Sequence, residues 1–147
     1  MIRYAVAAAA PVPSTNGEPY AALWNPSTTK QIYLASISIE DDHATISNRP
    51  GPVRTSTRGT PGSTITPDID NDYNRAVAPQ SGALLDLADF TVAPTLQPPR
   101  LMRYTITATG GGVLIDFDRL AIPPGTGLAI EATANLGSGF YTFEWDE

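Results

Sequence analysis

Asp68-Ile-Asp-Asn-Asp-Tyr-Asn places carboxylates at alternate positions, the spacing with which a loop gathers oxygen ligands around calcium. Tyr73 stands where an EF-hand loop needs glycine, and Pro79 stands where its bidentate Glu belongs. The EF-hand pattern is therefore broken, which leaves an irregular cation loop or an acidic loop that pairs with arginines. Pro123-Pro-Gly-Thr-Gly has the glycines of a phosphate-cradling loop. Leu128 follows Gly127 where that loop needs Lys, and a strand pattern follows where it needs a helix N-terminus. A tight turn between strands is the reading that remains. His43, the one histidine, sits beside Glu40, Asp41 and Asp42, but one turn supplies too few fixed ligands for a metal. The chain has no cysteine, which removes thiolate and disulfide chemistry, and with one histidine the usual nucleophile–base pairs lack a member. Asp116, Asp118 and Glu131 are the carboxylates a paired-carboxylate hydrolase would draw on. Alternating Asp116 and Asp118 are also the ordinary pattern of a solvent face. These patterns assign no catalytic residue, cofactor or metal ligand, and the chain is read as a binding or structural protein, not an enzyme.

Charge and composition narrow the partners. The net charge of −6 disfavours attraction to nucleic acid or to an anionic membrane. No window of the sequence is long and apolar enough to span a bilayer. Arg3 followed by the Ala5–Ala10 run lacks the Leu or Ile centre of a signal peptide, so it is not read as a processed leader. Lys30 is the sole lysine; the other basic residues are arginines, whose planar fork suits interfaces. Arg49, Arg54, Arg58 and Arg75 lie in one region of sequence without aromatic stacking platforms between them. A patch that grips an acidic protein surface is one reading; solvated charges are the other.

The elements that would position these residues are strands. The chain has 147 residues, enough for one domain with a sizeable core. Its 14 prolines and 12 glycines deny it long helices. The last third is the clearest stretch: Tyr141, Phe143 and Trp145 alternate with Thr142, Glu144 and Asp146, and Leu128 and Ile130 alternate with Ala129 and Glu131. Val113–Leu120 precedes them. Tyr20–Asn25 and Gln31–Glu40 read as further strands. In the latter, Tyr33, Ala35, Ile37 and Ile39 share one face and Ile32, Leu34, Ser36 and Ser38 the other, apolar on both sides at its start. Ala44–Ser47, Val53–Arg58 and Leu101–Ala108 are shorter candidates; Arg54 and Arg58 then share a face, and Met102, Tyr104 and Ile106 point inward. Ala83–Phe90 fits a strand or one helical turn. Residues 1–19 read as an extended arm, and Gly59–Gly82 as a long functional loop. The expected fold is all-β: an antiparallel, jelly-roll-like sandwich of about eight strands over residues 20–147.

The turn and strand motifs Leu23-Trp-Asn-Pro-Ser, Arg58-Gly-Thr-Pro-Gly, Thr66-Pro-Asp-Ile-Asp-Asn, Ile122-Pro-Pro-Gly-Thr-Gly-Leu and Phe143-Glu-Trp-Asp-Glu resemble small virion structural proteins of tailed bacteriophages. The resemblance implies a jelly-roll head decoration (cement) protein, a homotrimer or a dimer, bound to the major capsid protein on the outer surface of the head. On that reading Arg3, Tyr4, Arg49, Arg54, Arg58, Asp68, Asp70, Asp72, Tyr73 and Arg75 form the partner contacts, with no nucleic acid, membrane or cofactor involved. The alternative is a tail or fibre β-sandwich that binds host glycan through an aromatic shelf of Tyr20, Trp24 or Tyr73.

Overall fold

The computed structural model describes residues 2–11, 13–14, 18–41, 50–66, 68–69, 82–102, 111–131 and 139–147. Among these residues there is no helix. The strands are β1 (Arg3–Ala10), β2 (Pro19–Asn25), β3 (Ile32–Asp41), β4 (Gly51–Thr55), β5 (Ser63–Ile65), β6 (Asp68–Ile69), β7 (Leu84–Leu87), β8 (Leu96–Gln97), β9 (Gly111–Ile122), β10 (Thr126–Glu131) and β11 (Gly139–Asp146). They form two antiparallel sheets packed as a sandwich. Sheet A has the order β6-β1-β11-β3-β9 and sheet B the order β5-β7-β2-β10-β4-β8.

The aromatic alternation of the last strand organises this core. Tyr141, Phe143 and Trp145 are each at most 1% exposed, and β11 lies between β1 and β3. Tyr4 stacks on Trp145 with ring centroids 5.9 Å apart, and Tyr20 of sheet B stacks on Tyr141 of sheet A at 5.6 Å. Rings of this size bury much apolar area at little conformational cost, which suits a fold without cross-links.

Two expectations of strand and arm change here. Residues 3–10 are not a free arm: β1 pairs with β11 from Arg3↔Asp146 to Ala10↔Gly139, and Tyr4, Val6, Ala8 and Ala10 face the core. Small side chains permit this, because the neighbouring Tyr and Phe rings of β11 supply the volume. Nor does β3 have two apolar faces. Its register shifts between Leu34 and Ser36, so Ala35 is a bulge, and Ile32, Leu34, Ile37 and Ile39 all turn inward. An extra residue flips the parity of everything after it.

The Gly59–Gly82 stretch carries more structure than a loop. β5 extends sheet B and β6 pairs with β1, so the chain crosses here from one sheet to the other. Residues 70–81 of that stretch lie outside the described residues, as do the Ala44–Ser47 candidate, Tyr104 and Ile106. Met102 is 39% exposed and does not point inward. Ala83–Phe90 resolves into β7 and the start of a strap. From Ala88 to Thr95 this strap crosses the outer face of sheet B, from β7 on one side to β8 on the other. Phe90 anchors it against Ala22, Val53 and Ala129, whose small side chains leave room for the ring. The strap is also sewn to the segment after β4: Thr60 N donates to Val92 O at 2.8 Å, and Ser56 N donates to Thr95 O at 3.0 Å.

Candidate interaction surface

Arg3, Arg54 and Arg58, three of the charged residues expected at a partner contact, bond within the chain. Arg58 donates from Nε to Asp86 Oδ2 at 2.7 Å and from Nη2 to Asp86 Oδ1 at 2.8 Å. Thr64 Oγ1 donates to the same Asp86 Oδ1 at 2.7 Å. The Asp86 side chain is 1% exposed, so this pair fixes the β5–β7 edge to the segment after β4. The hydrogen bond to Asp86 raises the Arg58 pKa above its ordinary value; burial opposes that shift and the Asp86 charge adds to it. Arg54 leaves sheet B in the opposite direction and donates to the carbonyl of Ala121 in sheet A at 2.8 Å. The two arginines therefore do not share a strand face, because the strand ends at Thr55. Arg3 sits on the outer face of sheet A and donates to Asp146 at 2.6 and 3.1 Å.

Tyr4 cannot meet a partner in this structure: it is 1% exposed. Burial pushes its phenol above the ordinary value, and the Glu147 carboxylate pushes the same way. Tyr20, offered as part of a glycan-binding shelf, is likewise 1% exposed beneath the sheets, and Trp24 is half-buried. Asp68 pairs through its backbone with Ala5 as part of β6. Arg49, Asp70, Asp72, Tyr73 and Arg75 lie outside the described residues, as does His43. Asp116 and Asp118 are exposed on β9, whereas Glu131 belongs to sheet B and accepts from Arg100 Nε at 2.9 Å. Among the described residues no three His, Cys, Asp or Glu side chains are grouped so as to hold a metal ion.

The two outer faces of the sandwich differ. Sheet B wears the Phe90 strap. Sheet A presents rows of side chains that the backbone register defines. One row runs Ala7, Thr142, Ser38, Leu114, and the next runs Ala9, Phe140, Glu40, Gly112. Leu114 is 63% exposed and Phe140 is 56% exposed. Ala7 and Ala9 of β1, Thr142 of β11 and Ser38 of β3 are short, and the large apolar Leu114 and Phe140 stand beside them. Toward the other end of β9 the face changes character. Arg119 adopts φ 55° where the register with β3 shifts, and its guanidinium lies 4.5 Å from the Tyr33 ring centre. A bulge with a charge on it is how edge strands resist pairing with foreign strands.

Sequence reasoning passed over Leu114, Phe140 and Ala7. The signal was present for the first two: Val113-Leu-Ile and Phe140-Tyr both put apolar groups on successive residues, so one of each pair must face outward from a half-buried strand. No protein-family model matches the chain, and neither does any curated protein or solved structure.

Proposed function

We propose that this protein is a capsid decoration protein, a non-enzymatic β-sandwich that binds the outer surface of a phage head in many copies and stiffens the shell. The observation that carries this reading is the strand order. Of the eleven strands among the described residues, β1-β11-β3-β9 face β2-β10-β4-β8, and β7 with β5 continues the second sheet. Numbered along the chain with β5, β6 and β7 left out, those eight strands run 1-8-3-6 opposite 2-7-4-5, which supports a jelly-roll reading, an architecture common in shell proteins. The Phe90 strap adds a second layer to one side. Val92, 58% exposed on that layer, is the apolar contact it offers to the shell. Many modest contacts of this kind sum to firm attachment when copies repeat over a lattice.

The test is co-sedimentation of the purified protein with heads lacking it, read together with the heat resistance of the particles. Bound protein and a raised melting temperature are expected, and Val92→Glu should weaken both. Heads that pellet without the protein would sink the reading.

A further inference from the structure

We infer that the open face of sheet A is a self-association surface that takes a second copy of this chain across a two-fold axis. The inference stands apart from the head-surface reading, since it uses the opposite face of the sandwich. Three features of the face carry it.

The first is contrast. The chain covers the outside of sheet B with its own strap but leaves Leu114 and Phe140 standing on the outside of sheet A. The second is self-complementarity, which a two-fold interface requires because each patch meets its own image. An axis along the strands between β11 and β3 exchanges β1 with β9. In the row Ala7, Thr142, Ser38, Leu114, that exchange lays each Leu114 over Ala7 of the other copy, a large group over a small one, and Thr142 over Ser38. In the row Ala5, Glu144, Ser36, Asp116 the exchange sets Glu144 over Ser36 and Asp116 over Ala5, and in the row Ala9, Phe140, Glu40, Gly112 it sets Phe140 over Glu40, so no carboxylate lies directly over another. The third is area. Four strands about 4.8 Å apart and four residue pairs about 6.8 Å apart span about 500 Å² on each copy, or about 1,000 Å² in total. That is the lower bound for a specific interface, so the dimer is expected to be weak and concentration-dependent.

Sedimentation equilibrium of the full chain across a wide micromolar range should show monomers passing to dimers. Leu114→Asp and Ala7→Arg each introduce charge on an outward position, so both should fold, with unchanged far-ultraviolet circular dichroism, and each should weaken the dimer at least tenfold. Because the chain has no cysteine, Ala7→Cys protein mixed with separately prepared Leu114→Cys protein tests the contact itself. A bis-maleimide of about 10 Å, the spacing of packed sheets, should join the two proteins into one band. A monomer at every concentration, a trimer, a dimer indifferent to both charge substitutions, or no cross-linked band would each overturn the inference. Head binding by a chain that stays monomeric would leave the decoration reading standing while removing this one.

Discussion

Asp86 holds Arg58, a charge expected at a partner contact, within the chain. Its carboxylate sits under Arg58 and Thr64 on the outside of sheet B, closed off from water. Truncating Arg58 to Ala would leave that charge without its guanidinium. Because the Arg58 side chain is 35% exposed, the cost is discounted from the fully buried case to about 2 kcal/mol. Arg58→Ala combined with Asp86→Ala should cost less than the sum of the single changes, and urea unfolding of the four proteins in that cycle would measure the coupling. Tyr4 gives a prediction in pH. Its folded-state pKa lies above the ordinary value, chiefly through burial. Its contribution to stability is therefore full below about pH 10 and is lost as pH rises through the raised value. Tyr4→Phe should flatten the alkaline limb of the stability curve; an unchanged limb would assign it to other groups. Neither placement was legible in the sequence. Arg58 lies between Thr57 and Gly59, and Tyr4 precedes an alanine-rich stretch, so nothing local distinguishes a buried group from an exposed one.

β10 and β11 followed their sequence pattern closely. β11 alternates because one face is buried, visible in Tyr141 and Phe143, whereas β10 alternates in size, with Leu128 and Ile130 in the core and Ala129 under Phe90 on the other face. What the pattern hid was the pairing of β1, the bulge in β3 and the strap. β1 has the composition of a frayed arm and becomes a strand because β11 supplies both its hydrogen bonds and its bulk. The bulge at Ala35 is invisible to a period of two, since an inserted residue looks like a change of face. The strap was hidden too, because Phe90 packs on the outside of a sheet where no alternation signals it. Phe90→Ala should cost about 3 kcal/mol by emptying the space over Ala22, Val53 and Ala129. The inner core should survive this change. Hydrogen exchange would then show faster exchange along 88–95 and little change in β11.

At the scale of the whole molecule, most contacts join distant parts of the chain. Ile2 and Glu147 exchange backbone hydrogen bonds at 2.9 and 3.0 Å, and β1 runs beside β11 from there. Deleting residues 2–10 should therefore abolish cooperative unfolding. Circular dichroism of that shortened protein would check it: a native-like melt would mean that sheet A closes without β1. The same closure sets a clock on biosynthesis. A ribosome adding about 5–20 residues each second needs on the order of ten seconds between making Arg3 and making Asp146. Throughout that wait the first strand has no lasting home in its sheet, and Tyr4 lacks the indole it will lie against. Newly made copies crowded on one messenger would thus be most prone to clump before the final segment emerges, and slower translation should lower the soluble yield.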